Sequence, residues 1–127
     1  MLKTQTPGLF IMNSENKGRG VFTTSPIIKE SIIEICPVIV LSTSDTRQIH
    51  ETLLHDYYFL WDLEKKTSAL ALGYGSLYNH SDQPNAIFDL DYDGLNIKFA
   101  AIRDIKAGDE ITVDYIAAKE EGYKLWF

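Results

Sequence analysis

Short runs of β-branched and aromatic residues, separated by turn-forming residues, dominate the apolar pattern along this 127-residue chain. Such residues favour strands because they suit pleated, half-buried surfaces. The pair Asp93-Gly94, between two of these runs, is a strong signal for a β-hairpin turn. The pattern predicts a mainly β fold of several small sheets, with strands over Gly20–Thr24, Ser31–Leu41, Tyr57–Trp61, Ser68–Leu72, Ala86–Leu90, Leu95–Ala101 and Glu110–Tyr115.

One helix and one shorter helical turn are predicted among the strands. The segment Ser42-Thr43-Ser44-Asp45 offers N-cap residues, and Ile49, Leu53 and Leu54 follow at the spacing of an apolar helical stripe. The shorter turn is expected at Ser76–Tyr78. No internal repeat, low-complexity segment or linker interrupts the sequence, so residues 1–127 are expected to form a single domain.

Composition excludes several classes of protein. A hydrophobic fraction of 45% indicates a folded, globular chain. No apolar run approaches the roughly 18 residues that span a bilayer, and the N-terminus lacks the apolar core of a secretory signal. An intracellular, soluble protein without a membrane partner is therefore expected.

The numbers of cysteines, histidines and charged residues indicate which bonds and partners are expected. The single cysteine, Cys36, excludes an intrachain disulfide and a cysteine-cluster zinc site, and its apolar neighbours predict a buried thiol. The histidines His50, His55 and His80 show no metal-ligand spacing, so no metal is expected. A net charge of −6 disfavours direct nucleic-acid binding and favours encounter with a cationic partner.

Three short motifs stand out against the strand pattern. Each is weak when taken singly, because Gly-x-Gly often marks a surface turn, and Asn and Ser often satisfy the backbone of their own loop. In chain order they are Gly18-Arg19-Gly20, then Asn79-His80-Ser81 with Pro84-Asn85, then Gly108-Asp109-Glu110 leading to Asp114-Tyr115. This ordered trio resembles the signature motifs of SET-domain protein-lysine methyltransferases.

The resemblance covers essentially the whole chain, from Lys17 to Trp126, and is greatest to the minimal, free-standing SET proteins of viral and microbial type. It implies a SET domain of the β-clip type with a C-terminal pseudoknot and one or two short helices, without pre-SET or zinc-binding post-SET regions. It also implies methylation of a lysine side chain by S-adenosylmethionine, on a histone tail or another basic protein. A homodimer is expected, in the nucleus or on chromatin if the substrate is a histone and in the cytoplasm otherwise. A non-catalytic SET-type peptide-binding module is the alternative.

The resemblance further implies which residues hold the cofactor. Asn79 is expected to bind the amino-acid end of S-adenosylmethionine, and His80 to contact the adenine edge through its backbone. The glycine motif is expected to lie close to the methionine moiety, where Lys17 and Arg19 could meet the carboxylate. The full expected set is Lys17, Gly18, Arg19, Gly20, Asn79, His80 and Trp126.

Aromatic residues are expected to line the channel that receives the lysine. Tyr115 is the predicted catalytic residue, beside the transferring methyl group, and Tyr57 and Tyr78 are further predicted channel residues. Core packing on a strand is an equal alternative for Tyr57. Trp126 is expected to stack on the adenine, with a dimer contact or a frayed tail as the alternative. Ile116 stands where the family has glycine, so the backbone after Tyr115 is expected to differ.

Overall fold

The computed structural model describes residues 4–15 and 17–115. This part of the chain contains a helix, two short 3₁₀ turns at Leu53–Asp56 and Gly75–Leu77, and a series of strands. The helix α1 is Thr43–His50, and the strands are β1 Leu9–Ser14, β2 Gly18–Thr23, β3 Ile32–Leu41, β4 Tyr58–Asp62, β5 Thr67–Ala71, β6 Asn79–His80, β7 Ala86–Asp91, β8 Asn96–Ala101 and β9 Glu110–Val113. No helix within these ranges has the length and apolar character needed to cross a bilayer.

The strands form two sheets. The first has the order β1-β2-β9-β6, and the second has the order β4-β5-β3-β8-β7. Neighbouring strands are antiparallel except β6 and β9, which pair in parallel with Asn79 opposite Thr112 and His80 opposite Val113. The late strand β9 thus lies between the early strand β2 and the short strand β6. The prediction of a mainly β fold of several sheets is confirmed.

One cluster of buried residues joins both sheets. It includes Val21 and Ile111 from the first sheet and Ile97 and Phe99 from the second. Along β8, Ile97 and Phe99 are buried while Lys98 between them is exposed. This period of two is the consequence of strand geometry, which points successive side chains to opposite faces. The two sheets therefore share one core, and packing in this core fixes their position relative to each other.

Cys36 is fully buried in this cluster, as its apolar neighbours predict. Burial raises the pKa of its thiol, and the nearby Glu34 carboxylate raises that pKa further. The thiolate, which is the reactive form of cysteine, is therefore strongly disfavoured. Cys36 packs as a small hydrophobic residue.

The predicted helix forms, but it is shorter than its apolar stripe suggests. Ser42 caps α1 as predicted, because its side-chain oxygen accepts a backbone N–H of the first turn at 3.0 Å. The helix ends at His50, and Leu53 and Leu54 belong to a separate 3₁₀ turn. The Thr52 hydroxyl caps that turn by accepting the Leu54 N–H at 3.1 Å. The prediction of one continuous apolar stripe was therefore wrong, since Leu53 lies outside the helix and is 80% exposed.

Strands β1 and β6 were not predicted, and several strand ends differ from the prediction by one or two residues. Strand β1 lacks a clear apolar alternation, and β6 has two residues, too few to show any period. Strand β4 begins at Tyr58, and β9 ends at Val113. Tyr57 and Tyr115 consequently lie just outside strands, in turns where their side chains need not follow the alternation of a sheet.

Candidate active site

The Asn-His-Ser motif and the Asp-Tyr motif meet where β6 pairs with β9. Asn85 fastens them together: its Nδ2 donates to the Glu110 carbonyl at 2.8 Å, and its Oδ1 accepts from the Thr112 N–H at 2.9 Å. Asn85 is nearly buried, so these bonds replace lost contacts with water. The side chain therefore holds β9 against the loop that follows β6.

A cleft of about 280 Å³ lies beside this junction. It brings together residues of all three motifs, although these are far apart in the sequence. The predicted residues in its wall are Lys17, Gly18, Arg19, Tyr57, Asn79 and Tyr115. Three further residues, Asp56, Ser76 and Leu77, line it and were not predicted. Most of the predicted cofactor residues and two of the predicted channel tyrosines thus surround one space.

The carboxamide of Asn79 is held in a fixed orientation. Its Nδ2 donates to the Arg19 carbonyl at 3.2 Å and to Glu110 Oε2 at 2.7 Å. Both amide hydrogens are therefore used within the protein, and Oδ1 is the polar atom that can meet a ligand. If Asn79 binds the cofactor as expected, the contact therefore falls to its carbonyl oxygen.

Gly20 lies behind this carboxamide rather than in the cleft wall. A Cβ atom at Gly20 would lie 2.2 Å from Glu110 Oε2 and 2.7 Å from Asn79 Nδ2. Glu110 Oε1 also accepts from the Ser14 hydroxyl at 2.7 Å, so its carboxylate links β1, β6 and β9. Glycine is needed at this position because any side chain would displace the carboxylate from Asn79. The prediction that Gly20 approaches the cofactor directly differs from this placement.

Lys17 and Gly18 form the edge of the cleft near β6. The Lys17 ammonium donates to the His80 carbonyl at 3.2 Å. Gly18 has a φ of +73°, a left-handed conformation that favours glycine, and a Cβ there would meet no atom within 4 Å. The backbone at Gly18 is therefore open to close approach by a ligand.

The His80 ring supports Tyr115 from behind. Its Nδ1 accepts from the Tyr115 N–H at 3.0 Å and lies 3.7 Å from an Asp114 carboxylate oxygen. Because Nδ1 accepts this bond, the proton of the neutral ring belongs on Nε2. The two rings also pack with their centroids 5.2 Å apart. His80 is not in the cleft wall, and its ring fixes the backbone from which Tyr115 projects.

Tyr115 lies in the cleft wall with its hydroxyl directed inward to the protein. The phenol donates to the backbone carbonyl of Tyr78. Burial raises the pKa of Tyr115 to about 12, with smaller contributions from the carboxylates of Asp56 and Glu110 and from Tyr57. The phenol is therefore protonated at physiological pH and cannot act as a general base.

The Tyr78 side chain does not line the cleft, contrary to the prediction that it is a channel residue. It is 1% exposed, and its ring stacks on Phe99 with centroids 4.3 Å apart. Its hydroxyl donates to Glu34 Oε1 at 2.7 Å. The reason is the turn before β6, which directs this side chain into the core and leaves the Tyr78 carbonyl facing Tyr115.

Asp56 ends the 3₁₀ turn Leu53–Asp56, Tyr57 follows it, and both residues line the cleft. Tyr57 is 36% exposed, so of the two interpretations of this residue, core packing on a strand is not what the structure shows. The Asp56 carboxylate lies 3.0 Å from His55 Nε2. A carboxylate and an aromatic ring on one wall provide both charge and an apolar surface for a cationic group.

Sequence reasoning missed three carboxylates of this region: Asp56, Glu110 and Glu34. A signal existed for Glu34, because a charged residue within the apolar run Ile-Ile-Glu-Ile-Cys is seldom buried without a purpose. Glu110 belongs to a motif that drew attention only for its final tyrosine. Asp56 carried no signal, since acidic residues in turns are common.

Two further predictions concern metal and the C-terminal residues. No group of three or more His, Cys, Asp or Glu side chains within residues 4–15 and 17–115 is arranged to hold a metal ion. Trp126 and Ile116 lie outside the described residues, so the expected adenine stacking and the altered backbone after Tyr115 stay predictions.

Known proteins share the sequence and fold that build this site. A family model for the SET domain matches residues 18–116. Histone-lysine N-methyltransferase, H3 lysine-37 specific, of Schizosaccharomyces pombe is 37% identical over 120 residues, which are 94% of this chain and 76% of that protein. Histone-lysine N-methyltransferase SET9 of Phaeosphaeria nodorum is 34% identical over 88 residues, 68% of this chain and 13% of that protein.

A solved structure agrees with these relatives. The crystal structure of a candidate histone methyltransferase of Plasmodium falciparum superposes with a TM-score of 0.67 at 34% identity, covering 91% of this chain and 95% of that one. The chain belongs to the SET-domain family. It is an enzyme of the protein-lysine N-methyltransferase type, and the family resemblance of its three motifs is confirmed.

Proposed function

We propose that this protein transfers a methyl group from S-adenosylmethionine to the side-chain amine of a lysine in a histone tail or another basic protein. The observation that carries the proposal is that Lys17, Asn79 and Tyr115 share one cleft of about 280 Å³. Cationic, amide and phenolic groups are thereby gathered around a space of small-molecule size. The proposal includes the homodimer and the nuclear or chromatin location expected from the family.

The residues of the cleft fit this cofactor. Its amino-acid end carries an ammonium group, for which Asn79 Oδ1 is an acceptor, and a carboxylate, for which Lys17 and Arg19 are cationic partners. The open backbone at Gly18 permits close approach of the chain that joins these groups to the sulfur. When bound, S-adenosylmethionine supplies an activated methyl group on a sulfonium sulfur.

The aromatic wall suits the lysine amine. A free lysine has a pKa of about 10.4, so it arrives as an ammonium ion and must lose a proton before it can attack. Burial between Tyr57 and Tyr115 disfavours the charged form and lowers the cost of that loss. Tyr115 is not the base, because its own pKa is raised to about 12.

Tyr115 orients the amine instead. Its hydrogen is directed at the Tyr78 carbonyl, so the phenol oxygen can act toward the amine as an acceptor of an N–H. An amine held by one N–H presents its lone pair in a fixed direction, as an in-line displacement requires. The same oxygen can accept weak C–H contacts from the polarised methyl group.

The charge of the protein supports a basic substrate. The chain has a net charge of −6, and the Asp56 carboxylate lies in the cleft wall. Complementary charge accelerates encounter with a lysine-rich segment. The Schizosaccharomyces pombe relative is named for lysine 37 of histone H3, which supports a histone tail as the first substrate to test.

The test is incubation of the protein with methyl-labelled S-adenosylmethionine and recombinant histones, followed by mass spectrometry of the labelled product. We expect label on a lysine of a histone tail, and loss of the label in the Tyr115→Phe variant. Binding of cofactor and histone peptide without any methyl transfer would overturn the proposal in favour of a non-catalytic peptide-binding module.

A further inference from the structure

Glu34 is a carboxylate buried in the core. It lies in β3, is 3% exposed, and accepts hydrogen bonds from Gln5, Tyr74 and Tyr78, all of them neutral donors. Its Oε1 accepts from the Tyr78 hydroxyl at 2.7 Å, and its Oε2 accepts from Gln5 Nε2 at 3.0 Å and from the Tyr74 N–H at 3.1 Å. Within the described ranges, no lysine, arginine or histidine forms an ion pair with this carboxylate.

A buried carboxylate without a cation is costly, so its partners indicate what it does. Two of the three donors lie at the two ends of one short segment. The Tyr74 N–H precedes the 3₁₀ turn Gly75–Leu77, and the Tyr78 side chain follows it. One carboxylate therefore clamps both ends of this turn.

The clamped turn is part of the cleft. Ser76 and Leu77 line the cleft wall, and the next residue, Tyr78, supplies the carbonyl that accepts the Tyr115 phenol. The Glu34 carboxylate, the Tyr78 side chain, the Tyr78 carbonyl and the Tyr115 hydroxyl thus form a continuous connection. It runs from the core strand β3 to the site of proposed methyl transfer.

Neighbouring glycines show that the turn is packed tightly against β3. A Cβ at Gly73 would lie 2.4 Å from Glu34 Oε2, and Gly73 has a φ of +67°. A Cβ at Gly75 would lie 2.9 Å from Cys36 Sγ and 2.5 Å from the Cβ of Ala71. Any side chain at either position would push the turn away from the carboxylate, so the contact depends on both glycines.

We propose that Glu34 is a positioning residue for methyl transfer, which holds the Tyr78 carbonyl where it fixes the direction of the Tyr115 hydroxyl. The inference rests on the proposed function, in which the phenol oxygen orients the amine. Glu34 touches neither substrate nor cofactor in this scheme. Its effect passes through the Tyr78 ring and the turn Gly75–Leu77.

The test compares Tyr78→Phe with Gln5→Ala. The first variant keeps the ring and the carbonyl of residue 78 and removes its bond to Glu34. The second removes a bond to the same carboxylate from a residue that lies outside the turn. We expect Tyr78→Phe to lower kcat about tenfold with cofactor affinity nearly unchanged, because small misplacements of reacting groups cost rate. Gln5→Ala should leave kcat close to the wild-type value.

A second measurement is independent of turnover. Labelling tyrosine with ¹³C at Cζ reports the ionisation of the Tyr115 phenol, assigned by its absence in Tyr115→Phe. We expect the pKa of Tyr115 to change in Tyr78→Phe and in Glu34→Gln, and to stay unchanged in Gln5→Ala. If Glu34→Gln fails to fold, Tyr78→Phe carries the test.

The inference is overturned if folded Tyr78→Phe protein keeps the wild-type kcat and the wild-type pKa of Tyr115. It is also overturned if Gln5→Ala lowers kcat as much as Tyr78→Phe, since Glu34 would then contribute only to general stability. Absence of methyl transfer by the wild-type protein would contradict the proposed function, whereas the ionisation of Tyr115 would still test the connection to Glu34.

Discussion

Asn79 and Glu110, 31 positions apart in the sequence, are joined by a hydrogen bond of 2.7 Å between Nδ2 and Oε2. The bond crosses from β6 to β9, so it both links the two motif strands and sets the direction of the Asn79 carboxamide. A charged acceptor makes it stronger than a bond between neutral groups. The wall of the cleft at Asn79 is consequently ordered before any ligand arrives, which reduces the conformational entropy that a ligand would have to overcome on binding.

Gly20→Ala should weaken cofactor binding about tenfold, the usual consequence of losing one buried hydrogen bond. The added methyl would lie 2.2 Å from Glu110 Oε2, so the carboxylate must move away from Asn79. Calorimetric titration with S-adenosylmethionine measures the change. Met12→Ala is the matched control, because Met12 pairs with Gly20 across β1 and β2 and is 48% exposed. Equal affinity of both variants for the cofactor would show that the Glu110 carboxylate does not position Asn79 for cofactor binding.

Asn79→Ala should weaken S-adenosylmethionine binding by about 1–3 kcal/mol, since the cofactor ammonium and the Glu110 carboxylate both lose a partner. Binding in the folded variant is again measured by calorimetry. Asn96→Ala, a change of the same residue type on β8 in the other sheet, is the control. An unchanged dissociation constant for Asn79→Ala would remove this side chain from the cofactor site.

Tyr115→Phe should lower kcat on the order of a hundredfold, because a single polar contact at the reacting atoms can contribute that much. The variant keeps the ring, and the backbone N–H of residue 115 keeps its bond to His80, so folding and cofactor affinity should change little. Single-turnover rates and cofactor titration separate the two effects. A variant with half of the wild-type turnover would exclude the phenol from the reaction. Tyr92→Phe, in the β7–β8 hairpin and outside the cleft wall, controls for the loss of a tyrosine hydroxyl.

Local sequence patterns predicted the parts of the fold that depend on residues close together in the sequence. Strand β8 and the N-cap of α1 are local features, and both formed as predicted. Strand β6 was missed because two residues carry no period and form a strand only when β9 is alongside. Leu53 was misplaced because its spacing fits a helix that Thr52 interrupts.

For the site as well, the sequence predicted some features and missed those that depend on the tertiary fold. The motifs predicted most residues of the cleft, but they could not predict which atoms face it. Tyr78 lies next to Asn79, yet its side chain is held in the core by Glu34, 44 positions away. Gly20 acts through the space that it leaves for a carboxylate of β9. Both assignments depend on partners that only the tertiary fold supplies.

The ionisation of Tyr115 should make stability depend on pH in the alkaline range. Burial chiefly, together with Asp56 and Glu110, raises the pKa of Tyr115 from 10.0 to about 12. The unfolded chain therefore loses the Tyr115 proton at a lower pH than the folded chain does. The stability that comes from the protonated phenol is complete below about pH 10 and is lost as the pH rises from 10 to 12. Urea unfolding across that window should show a steeper loss for wild type than for Tyr115→Phe, since the other tyrosines are common to both. Parallel curves would contradict the raised pKa.

Asp56→Asn should raise the KM for a basic substrate about two- to fivefold, the size expected for an exposed charge pair. Asparagine keeps the volume of the side chain and removes the charge that lies in the cleft wall. The effect should shrink at high salt, because screening weakens exposed charges. Removing this carboxylate should also lower the pKa of Tyr115, since Asp56 is one of the groups that raise it.

Asp93→Asn makes the same charge change in the hairpin turn between β7 and β8, outside the cleft wall. We expect this variant to leave KM close to the wild-type value, because only a charge beside the cleft meets the lysine that enters it. Steady-state kinetics with one histone peptide at two salt concentrations measures both variants. An equal rise of KM in the two would assign the effect to net charge, and Asp56 would then have no particular part in substrate recognition.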